Sequence, residues 1–386
     1  MKSLNSSYIP AVDHIRAFAA VLVLFQHCYT RIGGRLAEGY GGELIGTPAQ
    51  NPLQSLMMEG HTGVALFMVL SGFIFTHIAY GKRILYGRFL VNRILRIYPL
   101  MLAIFVVGCI VRFSEVEPLG VLAVLAIPFQ ILDPVDLWFV PDLYPFTTLF
   151  WTIAPEFQFY LLFPLLLALV YRNGPVVLAV MIGGALLLRG LLVLDGADAH
   201  DISYWTIFGR IDQFLIGMGA ALAYRAWSGA WVGLLCPVAV GAMLTLLYLY
   251  NQAGGLPNAQ MWKIAWPPVE AVGWAAFIIG YLTLAPGLPT RLSAFLASIG
   301  EISFSMYLLH VCVIAAVLQL GPLDFGLQPF GASLVNGLFL VLPGTIAVSW
   351  VTFRLIERPF LRMRVRYLQE MPQPSPAGLK AAVPAE

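Results

Sequence analysis

Charged residues are scarce in this chain of 386 residues. Only 11% of its residues are charged, whereas soluble domains average about a quarter. Hydrophobic residues make up 59% of the sequence, so an ordinary soluble domain is excluded. The composition predicts a multi-pass protein surrounded by membrane lipids. The formal net charge of +2 is too small to suggest nucleic acid as a partner.

Cysteine is scarce as well, and the sequence offers no obvious set of metal ligands. The four cysteine residues form neither a C-x-x-C pair nor a disulfide framework, so we interpret them as small apolar residues. No cluster of His, Cys, Asp and Glu has metal-ligand spacing, and we expect no metal. The first apolar segment has no small-residue cleavage site behind it, which predicts a retained helix.

Long apolar runs make up most of the chain. Ten of them are long enough to cross a bilayer, which predicts an all-α polytopic membrane protein with one domain over residues 1–368. A shorter run at 119–132 ends before Asp133 and Pro134 and suits a re-entrant or interfacial segment. Residues 369–386 are rich in Pro and Ala, which predicts a disordered tail. The ten runs are 11–29, 62–80, 97–113, 148–171, 175–194, 204–224, 231–250, 267–286, 299–320 and 332–353.

The distribution of positive charge predicts which loops face the cytoplasm. Five Lys or Arg residues lie in 81–96 and five Arg residues in 354–366, whereas 133–147 and 195–203 contain none. Because cytoplasmic loops carry the excess of Lys and Arg, the two basic segments are expected inside and the two acidic segments outside. With an even number of spans, both termini are then cytoplasmic.

Two ionisable residues interrupt the first apolar run. Arg16 and His27 are eleven residues apart, three helical turns plus about 20°, so both side chains leave one helix face about 16 Å apart along the axis. An ionisable group inside a membrane is costly without a partner or a water-filled cavity, so the pair indicates a functional site. A neutral imidazole can take the proton of an attacking hydroxyl. The alternatives are a packed histidine bonded to a backbone carbonyl and an arginine that only flanks the membrane.

Arginine residues also cluster in the segment 88–99. Arg93 and Arg96 share a helix face at a spacing of three, and Arg88 lies nearby. Guanidinium groups bind phosphate in bidentate fashion, so the cluster is a candidate cytoplasmic site for an anionic cofactor. The alternative, that these residues only determine the topology, stays open at this point.

A carboxylate interrupts the apolar segment 151–164. Glu156 follows Pro155 about two turns into its span, where the proline is expected to kink the helix. A carboxylate inside the membrane is expensive, which favours a role in the site. The alternative is that Glu156 only neutralises an arginine such as Arg16 or Arg189.

A second histidine lies in the segment 298–310. Ser303, Tyr307 and His310 follow one another at spacings of four and three and therefore share a helix face. His310 is a candidate second group of the active site. Serine in membrane helices usually bonds to its own backbone, so Ser303 carries little weight.

Taken together, these segments resemble the acyltransferase-3 family of integral membrane acyltransferases, which modify sugars and other acceptors outside the cytoplasm. The resemblance runs over about residues 8–360, nearly the whole chain. It rests on the order of the segments and on the arginine and histidine with ten residues between them. The segments are DHIRAFAAVLVLFQH, LFMVLSGF, RFLVNRILRIYP, WTIAPEFQFY, GRIDQFLIGMGAA, ISFSMYLLH and RLIERPF.

The resemblance implies a fold of ten transmembrane helices and roles for particular residues. The essential histidine and arginine of the family correspond to His27 and Arg16. Its cytoplasmic Arg-x-x-Arg element corresponds to Arg93 and Arg96, and its acidic residue after a tryptophan corresponds to Glu156.

The sequence departs from the family pattern at two positions. Asn92 stands where a second basic residue is common, which weakens the case for a strongly basic cofactor mouth. Pro155 directly precedes the glutamate.

The function that the resemblance implies is acyl transfer across the membrane. Acyl-CoA, with acetyl-CoA as the expected donor, is predicted to dock near Arg93 and Arg96 and to extend its arm past Arg16. His27 then acts as general base for an acceptor hydroxyl or accepts the acyl group transiently. The expected acceptor is a glycan or lipid-linked saccharide at the outer side of the membrane.

Two of these expectations have alternatives. One concerns which group orients His27, and the other concerns the class to which the protein belongs. Glu156 is the first choice for orienting the imidazole or the acceptor, and His310 is the second. A transporter or flippase of polysaccharide intermediates is the alternative function, although the sequence shows no paired broken helices. A membrane scaffold or sensor would leave Arg16 and His27 unexplained.

Overall fold

The computed structural model describes residues 7–39, 42–113 and 143–370. Within them the chain is a bundle of helices joined by short loops. One small antiparallel sheet pairs strand β1, Lys82–Ile84, with strand β2, Leu368–Glu370. This architecture is that of an all-α polytopic membrane protein, as the composition predicts.

Sixteen α-helices lie in the described part of the chain and are labelled in chain order. They are α1 Pro10–His27, α2 Gly34–Glu38, α3 Pro52–Met58, α4 Thr62–Ala79, α5 Tyr86–Val111, α6 Ile153–Asn173, α7 Val176–Leu194, α8 Ala199–Tyr204, α9 Ile207–Ala226, α10 Leu235–Gln252, α11 Trp266–Leu284, α12 Thr290–Glu301, α13 Ser303–Leu320, α14 Pro329–Asn336, α15 Leu342–Thr352 and α16 Arg358–Arg362. Segments of π-helix follow α1, α14 and α15, at Cys28–Gly33, Gly337–Val341 and Phe353–Glu357. Short 3₁₀ segments are Phe150–Thr152, Ala230–Leu234, Met261–Ala265 and Ala285–Gly287.

Nine helical stretches of the described residues are long and apolar enough to cross a membrane, and they overlap nine of the ten predicted spans. The remaining prediction, 204–224, coincides with α9, which has 20 residues but contains Arg210, Asp212 and Arg225. The count of ten spans and the cytoplasmic termini stay predictions, and the segment 119–132 lies outside the described residues. The nine stretches are Pro10–Glu38, Thr62–Ala79, Tyr86–Val111, Phe150–Asn173, Val176–Leu194, Ala230–Gln252, Met261–Gly287, Ser303–Leu320 and Pro329–Arg362.

Helix α4 packs against α1, α9 and α11, and glycine lets two of these helices approach it closely. A Cβ atom on Gly63 would lie 2.5 Å from the carbonyl oxygen of Ala19 in α1. A Cβ atom on Gly72 would lie 2.0 Å from the carbonyl oxygen of Phe214 in α9. Small residues at such interfaces are how membrane helices gain close packing. Any larger side chain at either glycine would force the helices apart.

Two helix boundaries differ from those predicted by hydropathy. Helix α5 begins at Tyr86 rather than at 97, so Arg93 and Arg96 lie on the same helix as the apolar span. Hydropathy detects only the apolar part of such a helix, because its polar turns lie beyond the lipid. The run predicted from 299 is divided at Ile302, between α12 and α13.

The start of the predicted tail is part of the fold. Strand β2 pairs Gln369 with Arg83 and Glu370 with Lys82. The first two residues of the segment 369–386 therefore belong to a sheet, and the rest lies outside the described residues.

Candidate active site

Three cavities follow one another through the helix bundle. The first, named the arginine mouth, has a volume of about 270 Å³ and is lined by Arg16, Asn92, Arg93, Arg96, Arg362 and Arg364 among others. The second, the arginine chamber, is about 110 Å³ and is lined by Arg16, Val64, Arg93, Glu156, Tyr160 and Tyr307 among others. The third, the histidine chamber, is about 350 Å³ and is lined by His27, Glu59, Val64, Trp151, Tyr204 and Tyr307 among others.

The order of the lining residues along three helices shows that the cavities follow the bundle axis. On α1, Arg16 lines the mouth and the arginine chamber, whereas His27 lines the histidine chamber. At α4, Phe75 lines the first two cavities and His61, just before the helix, lines the third. On α13, Tyr307 lines both chambers. The row of cavities therefore runs from the arginine residues to His27.

His27 and His310 face each other with a defined direction of hydrogen bonding. His310 Nε2 lies 3.3 Å from His27 Nδ1, and His310 Nδ1 lies 3.1 Å from the carbonyl oxygen of Met306. A carbonyl only accepts, so Nδ1 of His310 carries the proton and its Nε2 is an acceptor. Nδ1 of His27 lies 2.9 Å from the carbonyl oxygen of Val23 and is likewise protonated. In the neutral imidazole of His27, Nε2 then keeps a free lone pair and can act as a base.

The backbone changes its winding directly after His27. Helix α1 ends at His27, and Cys28–Gly33 is wound as a π-helix. The Thr30 hydroxyl donates to the carbonyl oxygen of His27 at 3.3 Å. Short π-helical segments next to α-helices are frequent at functional sites. The change from α-helical to π-helical winding therefore marks the position of His27, in addition to its ionisable side chain.

Polar and aromatic side chains form the rest of the histidine chamber. Glu59 accepts a hydrogen bond from Asn251 Nδ2 at 2.7 Å and lies 3.0 Å from His61 Nε2. The ring of Trp151 lies 5.0 Å from that of Tyr204, measured between centroids. The chamber therefore combines hydrogen-bonding groups with aromatic faces, as ligand sites commonly do.

Arg93 is held between aromatic rings. Its guanidinium carbon lies 4.9 Å from the ring centroid of Phe75, 5.5 Å from that of Phe89 and 5.6 Å from that of Tyr160. Cation–π contacts of this kind favour a fixed guanidinium orientation. The buried Nε of Arg93 has no hydrogen-bond partner among the described residues. Arg93 is thus positioned while part of its donor capacity is unused.

Carboxylates hold Arg96 and Arg16, two further arginine residues that were predicted for the site. Arg96 donates to Glu357 at 2.9 Å, and Glu357 is 1% exposed and also accepts from Ser305. Arg16 donates to Asp13 at 3.0 Å from one turn away on α1. Three arginine residues from two helices, α1 and α5, thus converge on the same pair of cavities.

Arg364 also lines the arginine mouth, and its role was not predicted. Burial, followed by the positive charges of Arg96, Arg93 and Arg16, lowers the pKa of Arg364 to about 10. Asn92 holds this segment, because its amide donates to the Val365 carbonyl at 2.7 Å and accepts from the Val365 amide at 2.9 Å. The sequence signal was the run of arginine residues at 354–366, interpreted there only as a topology signal. In the structure, Asn92 adds no charge itself but brings a further arginine to the mouth.

Glu156 lies elsewhere in the site than expected. The helical stretch Phe150–Asn173 begins with the 3₁₀ turn Phe150–Thr152, so Glu156 lies about two turns after its start and in the first turn of α6, which begins at Ile153. Pro155 lies in that first turn and not in the interior of α6. Proline fits the first turn, where its missing N–H is not needed. Glu156 lines the arginine chamber and accepts a hydrogen bond from Tyr160. His310, not Glu156, is the side chain in contact with the imidazole of His27.

Arg88 lies apart from the three cavities. It lies on α5 like Arg93 and Arg96, but its side chain is exposed and lines none of the three cavities. Arg88 precedes Arg93 by five residues, which turns its side chain about 140° away around the helix. Arg364 lines the arginine mouth together with Arg93 and Arg96, and the part of Arg88 in cofactor binding stays a prediction.

One group of the described residues has the residue types of a metal site. Asp198, His200 and Asp201 lie together near the histidine chamber, which His200 lines. The Asp198 carboxylate accepts from the backbone amides of His200 and Asp201 at 2.7 and 3.1 Å, so it caps helix α8. Burial lowers the pKa of His200. The capping of α8 by Asp198 therefore explains why Asp198, His200 and Asp201 lie close together.

The sequence of the chain matches the family described as "Acyltransferase domain" over residues 9–354. The chain belongs to the acyltransferase-3 family. The resemblance to this family is thereby confirmed. No solved structure matches the chain.

Several curated proteins are similar to this acyltransferase-3 family member over most of their length. Acyltransferase MdmB of Streptomyces mycarofaciens is 28% identical over 395 residues, covering 96% of either chain. Nodulation protein 10 of Rhizobium leguminosarum bv. viciae is 25% identical, with 91% of this chain and 93% of that protein covered. Exopolysaccharide production protein ExoZ of Rhizobium meliloti is 28% identical, with 78% and 90% covered. The protein is thus an acyltransferase at the general level of its family.

Proposed function

We propose that this protein is an O-acyltransferase of the inner (cytoplasmic) membrane. It transfers an acyl group, with acetyl as the expected group, from acyl-CoA at the cytoplasmic side to a hydroxyl of a glycan or lipid-linked saccharide at the outer side. The observation that carries the proposal is the free lone pair on His27 Nε2. His27 lines the last of three cavities, of which the first is lined by five arginine residues.

The arginine mouth suits the phosphate groups of coenzyme A. Arg93 and Arg96 bring guanidinium donors to the mouth for phosphate oxygens, Arg96 while paired with Glu357, and Arg364 adds a third positive charge. The pantetheine arm then extends through the arginine chamber past Arg16. The axial separation of Arg16 and His27, about 16 Å, is of the order that such an arm spans.

Acyl transfer needs one proton to move, and His27 supplies the base. The acceptor hydroxyl gives its proton to Nε2 while its oxygen attacks the thioester carbon. The imidazolium formed is stabilised because its Nδ1–H already donates to Val23 and to His310. The tetrahedral intermediate then expels the CoA thiolate, which takes the proton from Nε2. The base is restored, and the products are an ester and free CoA.

The histidine chamber suits a hydroxylated ring as acceptor. Its volume of about 350 Å³ is within the range of roughly 300–1,000 Å³ typical of small-molecule pockets. Trp151, Tyr204 and Trp205 add aromatic carbon to the wall of this chamber, and Glu59 adds a carboxylate, a combination that suits the C–H groups and the hydroxyl groups of a sugar. These features support a saccharide over an aliphatic alcohol.

The proposal is tested with purified protein in lipid nanodiscs, acetyl-CoA carrying a radiolabelled acetyl group, and a panel of methyl glycosides. Release of CoA and label on a glycoside are expected from the natural protein. His27→Gln keeps a side chain that can bond to Val23 but lacks a base. We expect it to lower kcat by about 10²- to 10⁴-fold, which is the usual contribution of a general base.

A matched histidine provides the control. His77 stacks on Phe73 with ring centroids 5.6 Å apart and lines none of the three cavities. His77→Gln should therefore keep the natural rate. Equal rates for His27→Gln and His77→Gln would contradict the histidine mechanism. Absence of CoA release from folded natural protein would contradict the function itself, and label retained on the protein would contradict direct attack.

A further inference from the structure

The boundary between the two chambers contains one polar side chain. Val64 and Tyr307 are the described residues that line both the arginine chamber and the histidine chamber. Val64 has no group that can donate a hydrogen bond. Tyr307 carries a phenolic hydroxyl, which can donate and accept. The thioester of a donor that reaches from one chamber to the base in the other must pass this boundary.

The hydroxyl of Tyr307 is buried and uncommitted. The residue is 6% exposed, and its hydroxyl oxygen, although it lies near the side chain of Thr152, has no partner at hydrogen-bond geometry among the described residues. The hydroxyl of Thr152, which lines the same arginine chamber, donates instead to the Leu149 carbonyl at 3.0 Å. Buried polar groups are almost always hydrogen-bonded, so such an exception calls for a partner that the folded chain does not supply.

The ring of Tyr307 is held next to the histidine pair. It meets the ring of Phe67 edge-on, with centroids 6.1 Å apart, and lies 6.0 Å from the ring of His310 one turn later on α13. His310 in turn contacts His27. A side chain fixed in this way is preorganised, which is the property that makes an oxyanion donor effective.

We propose that the Tyr307 hydroxyl donates a hydrogen bond to the carbonyl oxygen of the acyl thioester. This inference rests on the proposed function. When the acceptor oxygen bonds to the carbonyl carbon, the π electrons of the carbonyl move to its oxygen, and the resulting oxyanion accepts the hydrogen bond more strongly. When the carbonyl re-forms, the bond to sulfur breaks and CoA leaves. Tyr307 keeps its proton throughout, and only His27 exchanges one.

Other polar groups of the two chambers are less suited to this role. Tyr160 donates to Glu156 and is therefore committed. Gln26 lines only the histidine chamber, and Ser303 lines only the arginine chamber. Tyr307 is the donor positioned where the two substrates must meet.

The test compares Tyr307→Phe with the natural protein in nanodiscs, using acetyl-CoA and the panel of methyl glycosides. The variant keeps the ring and loses only the hydroxyl. We expect kcat to fall by about 10²- to 10³-fold, the usual effect of removing one oxyanion donor, with the Kd for acetyl-CoA within twofold of natural. Tyr171→Phe is the matched control, because its hydroxyl contacts only the backbone near Ala79 and Gly81 and lines none of the three cavities.

The outcomes separate the two proposals. A natural rate in Tyr307→Phe, together with an active natural protein, would overturn the role of Tyr307 and leave the acyltransferase intact. A rise in the Kd for acetyl-CoA that accounts for the whole loss would likewise overturn it, because the hydroxyl would then act in binding. An inactive natural protein would overturn the proposed function, and this inference with it.

Discussion

At the scale of single residues, the direction of one hydrogen bond determines which nitrogen of His27 is basic. Val23 and His310 both offer acceptors to Nδ1, at 2.9 and 3.3 Å. With two acceptors on one side of the ring, the proton of the neutral imidazole stays on Nδ1 and the lone pair stays on Nε2. His310 itself is fully buried and lies behind His27 rather than beside the acceptor. We therefore interpret His310 as a positioning residue.

This interpretation predicts a modest effect of His310→Leu. The Val23 carbonyl still holds Nδ1–H, so only one neutral hydrogen bond is lost, worth about 0.5–1.5 kcal/mol. The expected decrease in kcat is roughly two- to tenfold, with an unchanged KM for acetyl-CoA. His310→Gln, which offers an amide oxygen as acceptor, should recover part of the rate. A decrease as large as that of His27→Gln in the same assay would instead make His310 a proton-transferring group.

The sequence could predict part of this site at the residue scale. The spacing of Arg16 and His27 predicts a common helix face, and both line the row of cavities. The predicted depth of Glu156 agrees with the helical stretch Phe150–Asn173, but hydropathy does not reveal that its first turn is 3₁₀ and that α6 begins only at Ile153. The contact of His27 with His310 joins residues 283 positions apart, and no local pattern predicts which histidine meets which.

At the scale of helices and segments, the arginine mouth depends on how the end of the chain is attached. Asn92 on α5 makes two hydrogen bonds to the backbone of Val365, and β2 pairs with β1 shortly afterwards. These contacts fix the segment that directly follows Arg364, which lines the mouth. The segment after the last span thus contributes to the arginine mouth, which is the proposed donor site.

This attachment predicts a coupling between Asn92 and Arg364. Arg364→Ala removes a charge from the mouth and should raise the KM for acetyl-CoA about tenfold, in line with a hydrogen bond to a charged group. Asn92→Ala should raise the KM in the same way without changing kcat, because it frees the segment that carries Arg364. The double variant should be little worse than Arg364→Ala alone, since both changes remove one interaction. Fully additive effects on the KM, with natural melting temperatures, would show that Asn92 does not act through Arg364.

The sequence predicts the apolar parts of these elements better than their polar extensions. The ten apolar runs correspond to nine candidate spans and to α9. Hydropathy does not predict the polar turns of α5, because they lie outside the apolar run. It does not predict the pairing of β1 with β2 either, because that pairing depends on contacts between distant segments. The carbonyl of Val365 and the amide of Asn92 are 273 positions apart.

At the scale of the whole molecule, the three cavities form a path along the bundle axis. The mouth contains arginine residues from α1, α5 and the segment after α15, and the last chamber contains His27. The basic residues that indicate the cytoplasmic side in the sequence, at 81–96 and 354–366, flank the same mouth. Donor and acceptor are therefore expected to enter from opposite faces of the membrane and to meet at His27.

Sidedness is the measurement that tests this account most directly. The protein is reconstituted in proteoliposomes with the methyl glycosides trapped inside, and labelled acetyl-CoA is added only outside. Molecules with the arginine mouth outward should transfer label to the trapped glycosides, and Arg93→Ala should abolish that transfer at low donor concentration. Label that appears only on glycosides supplied on the same side as acetyl-CoA would contradict transfer through the bundle.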